Sequence, residues 1–78
     1  MNKLEKAKEI IMENYNDADC GIFDCRNIVG DYMTTVYEDE ELQVDICYHW
    51  SHFEVSGLTD EEFTELETFY GQIRRGEV

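Results

Sequence analysis

Cys47-Tyr-His-Trp-Ser-His52 holds the chain's one concentration of cysteine and histidine. With Cys20 and Cys25 it supplies the residue types of a zinc site, or of a thiol nucleophile beside a histidine base. In an extended strand Cys47 and His49 project from one face and His52 follows a turn, so three ligands have a route to one point. The spacing argues against a metal: there is no Cys-x-x-Cys, and Cys20 and Cys25 do not match a zinc knuckle. A nucleophilic thiolate needs positive surroundings, and this chain is strongly negative. Reduced thiols and half-exposed histidines are therefore expected, with no metal, no other cofactor and no catalytic residue. A small metal-binding or thiol enzyme is kept as a third reading.

Carboxylates are the more abundant chemistry. The 78 residues hold 19 acids and six bases, a net charge of −13. Lys3, Lys6, Lys8, Arg74 and Arg75 lie near the two ends, and from Glu9 to Tyr70 Arg26 is the only base. Self-repulsion on this scale works against the compact state, and the same field disfavours nucleic acid and anionic membranes. Basic partners are favoured. The acids concentrate in Glu38-Asp39-Glu40-Glu41, which lacks the alternating ligands and central glycine of a calcium loop. Others are Asp24, Asp45 and Glu54 on strands, and Asp60, Glu61, Glu62, Glu65 and Glu67 on a helix. There is no glycine-rich phosphate loop and no serine nucleophile elbow.

These side chains need a scaffold, and the pattern describes one. From Leu42 to Trp50 every even residue is apolar or aromatic, the period of a strand with one buried face. On that phase Trp50 belongs to the core with Tyr48 and Ile46; the alternative is an exposed anchor for a partner. Phe53 and Val55 continue on the other phase, so a tight turn lies near Trp50-Ser51. Asp45 and Glu54 then face outward from neighbouring strands. Residues 2 to about 15 form an amphipathic helix capped by Asn2, with Leu4, Ala7, Ile10, Ile11 and Tyr15 inward and Glu5 placed to reach back to the cap. Asn14 to Asp17 end it.

Cys20–Cys25 reads as a short strand, Arg26–Asp31 as a loop using Gly30, and Tyr32–Tyr37 as a second strand. Glu38–Glu41 is a hairpin tip. Thr59 and Glu62 form a capping box with Leu58 and Phe63 as its hydrophobic staple. The helix that follows buries Phe63, Leu66, Phe69, Tyr70 and Ile73 and ends at Gly76. The expected architecture is α+β, one domain over residues 1–78. It is helix, three- or four-stranded antiparallel sheet, helix, with both helices on one face. Such a short chain buries only about 60% of its unfolded surface, leaving little room for a catalytic cleft. No run approaches the length of a membrane span, and the three cysteines suit a reducing, cytoplasmic setting.

In size, charge and element order the whole chain resembles the small acidic inhibitor proteins of phages and mobile elements, anti-CRISPR proteins among them. That resemblance implies a non-enzymatic inhibitor acting as a nucleic-acid mimic. The element order is also similar to that of the double-stranded-RNA-binding domain, without its basic clusters. Side chains on one sheet face repeat on a scale close to that of DNA phosphates. The expected site is therefore Glu38, Asp39, Glu40, Glu41, Asp45, Glu54, Asp60, Glu61, Glu62 and Glu65. Its partner would be a basic protein that binds or processes nucleic acid, with no direct nucleic-acid or membrane contact. The alternative is a homo-oligomer, a dimer for example, whose interface is aromatic.

Overall fold

The chain begins with a capped helix. In the computed structural model, which describes residues 2–24 and 33–78, the Asn2 side chain accepts the Glu5 amide and opens α1, Lys3–Asn14. Ala7, Ile10 and Ile11 form its buried face. A 3₁₀ turn, Tyr15–Asp17, follows. The strands are β1, Gly21–Asp24; β2, Met33–Glu38; β3, Gln43–Cys47; and β4, His52–Ser56. The final helix α2 is Asp60–Arg74. The expected loop at Arg26–Asp31, with Gly30, and the thiol of Cys25 lie outside the described residues. No helix among the described residues is long and apolar enough to cross a membrane.

The α+β class and the helix, sheet, helix order are as expected, but the sheet is mixed rather than antiparallel. Its order is β1-β4-β3-β2. β2 pairs antiparallel with β3, and β3 with β4, while β1 pairs parallel with β4. The cause is where β1 starts. The Cys20 amide donates to the Ser51 carbonyl at 2.8 Å, so β1 and β4 leave from the same end and run the same way. An alternation of apolar and polar residues is the same in either direction, so the sequence pattern carries no sign of it.

Both helices cover one face of the sheet. Val44, Ile46, Phe53 and Val55 point into a core shared with Ala7, Ile10, Ile11, Leu66 and Tyr70. Leu4, Leu58, Phe63 and Ile73 close its edges. The helices run parallel, because their contacts advance together: Lys3 Nζ lies 3.8 Å from Glu62 and Lys8 Nζ 3.4 Å from Glu65. Further along, the Tyr15 and Tyr70 rings meet at 5.4 Å. The Tyr70 hydroxyl donates to the Ala18 carbonyl at 2.6 Å, tying α2 to the entry of β1.

The Thr59 capping box is complete: the Glu62 amide donates to the Thr59 hydroxyl, and the Glu62 carboxylate accepts the Thr59 amide. α2 stops at Gly76, whose φ of +73° suits a glycine after a helix.

Trp50 departs from its expected place. β3 ends at Cys47, and residues 48–51 form the turn, with Ser51 at φ 53°. The apolar alternation runs three residues past the strand, so Trp50 is carried off the sheet and is 67% exposed.

At the other end of β4, Gly57 has φ +103°, and a Cβ there would collide with the Glu41 carbonyl. Gly57→Ala should cost about 2–3 kcal/mol in urea unfolding, from backbone strain together with the clash. Gly76→Ala, with open space around its Cβ position, should cost less than about 1 kcal/mol.

Candidate interaction surface

The hairpin tip is built by one of its own acids. Asp39 Oδ1 accepts the amides of Glu41 and Leu42, each at 2.8 Å, and Oδ2 accepts the Tyr37 hydroxyl at 2.7 Å. The Asp39 amide in turn donates to the Leu42 carbonyl at 2.9 Å. This is the local turn chemistry for which aspartate is suited. The Tyr37 hydroxyl first, then the two amides, hold the Asp39 carboxyl below its ordinary value. Asp39 therefore shapes the tip, while Glu38, Glu40 and Glu41 point their carboxylates to solvent.

The close approach of Gly57 to Glu41 brings the tip beside the start of α2. Asp60 and Glu61 are exposed on the first turn, where the helix dipole favours acids. Glu62 is turned inward to the capping box, and the Thr59 amide foremost holds its pKa below the ordinary value. Lys3 reaches from α1 to the Gly57 carbonyl at 2.6 Å and to Glu62. Lys6 lies over the Tyr37 ring at 5.1 Å and 3.4 Å from Glu9. The lysines of α1 are thus engaged along one side of this end. Glu38, Glu40, Glu41, Asp60 and Glu61 occupy the rest, with Glu65 further along α2, paired with Lys8.

The sheet face contributes less than expected. Asp45 is half-buried, accepting the Thr35 hydroxyl at 2.7 Å and the Gln43 amide at 3.1 Å. Glu54 does not face solvent at all: it is 3% exposed, and its carboxylate lies 2.9 Å from His52 Nε2. It drops out of the partner-binding set. Glu54 belongs to the inner strand β4, flanked by Phe23 of β1 and Asp45 of β3 in the register. A carboxylate in that position is stable only with a hydrogen-bond partner, and His52, two residues earlier on the same strand face, supplies it. The Phe23 ring closes the edge of the pair, 4.9 Å from the His52 ring. Sequence reasoning missed this pair, although the His-x-Glu spacing within a strand was the signal for it.

The cysteine and histidine cluster is dispersed. Cys47 is buried opposite His52 in the β3–β4 register, His49 stacks edge-on against Trp50 in the turn, and Cys20 is exposed. Among the described residues no three His, Cys, Asp or Glu side chains form a group able to hold a metal ion. No protein-family model, curated protein or solved structure matches the chain.

Two measurements test this division between structural and outward-facing acids. His52→Ala should cost about 2–4 kcal/mol in urea unfolding, because it leaves a buried carboxylate without its partner. Replacing both residues together by leucine should cost less than that single change. Asp39→Asn should lower stability near neutrality and leave it unchanged in strong acid. With its folded pKa below the ordinary 3.8, Asp39 adds stability that is full above that value and lost as pH falls through the lowered one. The gap between wild type and Asp39→Asn, measured by urea unfolding against pH, should be constant near neutrality and vanish at the acid end.

Proposed function

We propose that this chain is a non-catalytic interaction protein that occupies the basic, nucleic-acid-binding surface of a partner protein, as an inhibitor of the anti-defence type. The observation that carries the proposal is the joining of two acidic elements at one end. The hairpin tip and the start of α2 are brought side by side where Gly57, three residues before the helix, closely approaches the Glu41 carbonyl. Glu38, Glu40, Glu41, Asp60 and Glu61 thereby present carboxylates from a fixed frame, while Lys3 and Lys8 are engaged by Glu62 and Glu65 of α2 and Lys6 by Glu9 of its own helix.

Carboxylates on a fixed backbone meet a lysine and arginine groove at a smaller ordering cost than those of a flexible acidic tail. A net charge of −13 also steers encounter with such a groove over distances set by the salt, about 10 Å at 0.1 M. With Glu54 buried and Asp45 half-buried, the exposed acids concentrate at one end of the molecule and not along the sheet face. The reading places the protein in the cytoplasm, where the partner's nucleic acid and reduced thiols coexist.

Immobilised protein should retain basic nucleic-acid-binding proteins from a bacterial lysate, release them as salt rises, and lose them to added DNA or RNA. The triple reversal Glu38→Lys, Glu40→Lys, Glu41→Lys should weaken that capture by about 100-fold or more while leaving the circular dichroism spectrum unchanged. Asp39 and Asp45 are left in place because they hold the tip and the sheet. Capture that survives the triple reversal would rule the proposal out.

A further inference from the structure

The end of the molecule remote from the acids has the opposite character. Trp50 is 67% exposed, Tyr48 50% and Phe23 45%. Trp50 and Tyr48 sit on the turn between β3 and β4, and Phe23 sits on the edge strand β1. These large rings are not used by the core, and Trp50 has the His49 ring packed edge-on against it. An aromatic of this size left in water is a common anchor of protein interfaces.

Charge indicates what covers it. The Cys20 amide is bonded to Ser51, and Tyr70 to Ala18, so this end gathers the β3–β4 turn, the segment around Asp17 and Asp19, and the last turns of α2. Arg74, at the end of α2, is exposed, and so are Asp17 and Asp19. Both Arg74 and Asp19 act electrostatically on the Tyr70 hydroxyl, which places charges of both signs around it. An end that carries an aromatic knob with both signs of charge is complementary to itself under a twofold rotation, in which every contact is made twice. The acidic end is not: there a second copy meets only like charge.

We propose that the Trp50 end is a homodimer interface, with Trp50 and Tyr48 of each copy packed across a twofold axis and Arg74 of each facing Asp17 or Asp19 of the other. The acidic ends then point away from each other and stay open. A stable interface takes about 800 Å² from each partner, roughly a sixth of the 4951 Å² surface of this chain. Three partly exposed rings and two charged side chains make a small contact, so the dimer is weak and reversible. Its salt dependence is opposite to that of a basic partner. The two copies repel through their net charge, and added salt, by screening that repulsion, strengthens the dimer.

Trp50 is the single tryptophan, so its fluorescence reports the interface directly. Under reducing conditions, which prevent cross-linking through the exposed Cys20, sedimentation velocity should show monomer giving way to dimer between about 10 µM and 1 mM. The tryptophan emission should shift to the blue over the same range, and both changes should move to lower concentration at higher salt. Trp50→Ala, exposed and so neutral to the fold, should weaken the dimer about tenfold or more; Arg74→Glu should weaken it a few-fold.

A chain that stays monomeric throughout overturns the proposal and leaves the rings to a different partner. A dimer that Trp50→Ala does not weaken overturns it as well. Neither result bears on capture at the acidic end, which is read out with Glu38, Glu40 and Glu41.

Discussion

Strand β4 must be buried on both faces, and much of the molecule follows from that. It lies inside the sheet between β1 and β3, with Phe53 and Val55 against the helices and His52 and Glu54 on the opposite face. An inner strand normally reads as a continuous apolar run, yet this one carries a histidine and a glutamate. They persist because each satisfies the other, and among the described residues no buried side-chain polar atom is left without a partner. The hydrogen bond does not make the pair a strong source of stability, since desolvation offsets most of the attraction. Its effect is local: two residues apart on one face of an extended strand, His52 and Glu54 meet whatever the register, and the pairing lowers the cost of burying that face of β4.

The same sheet decides where the charges go. β1 and β4 start together, and both helices begin at the opposite end, so α1 and α2 lie parallel with their amino-terminal dipole ends side by side. Parallel helix dipoles repel weakly, and acids at the amino-terminal ends relieve part of that repulsion. Asp60, Glu61 and Glu62 are therefore at home in the first turn of α2 on structural grounds alone. Arg74 in its last turn and Arg75 at its C-cap suit that end for the complementary reason. The result is a molecule with one acidic end and one end of mixed sign, a polarity produced by topology and not by charge number.

The sequence made the local structure legible because local rules govern it. The Asn2 and Thr59 caps, the end of α2 at Gly76, the tip at Glu38–Glu41 and the turn at Ser51 each depend on a few neighbouring residues whose side chains form the motif. What depends on distant neighbours was not legible. The parallel pairing of β1 with β4 arises from how α1 returns the chain. Glu54 is buried while Asp45, its register partner on the other inner strand, is only half-buried, a difference no pattern within either strand encodes. Trp50 was misplaced for a related reason: period-two alternation says which residues share a face but not where the strand stops. Among the acids, Asp39 and Glu62 resemble their neighbours in sequence but differ in role, because backbone amides converge on them.

Rigidity separates a nucleic-acid mimic from an acidic surface of no consequence. Nineteen acids on a small domain keep it soluble whatever else they do, so charge number alone has no bearing on recognition. Position does. The acids that remain exposed at the tip are spaced by a turn that Asp39 closes through three hydrogen bonds. That turn is pressed against Gly57, where no side chain fits. Glu61 is fixed in turn by a capped helix. On the mimic reading, carboxylates on such a frame would lose less freedom against a partner's arginines than those of a flexible tail, and the gain would come from preorganisation more than from added charge. A loosened tip with the same net charge would attract the same partners from a distance and hold them less well. That difference between encounter and retention is the physical content of the mimic reading.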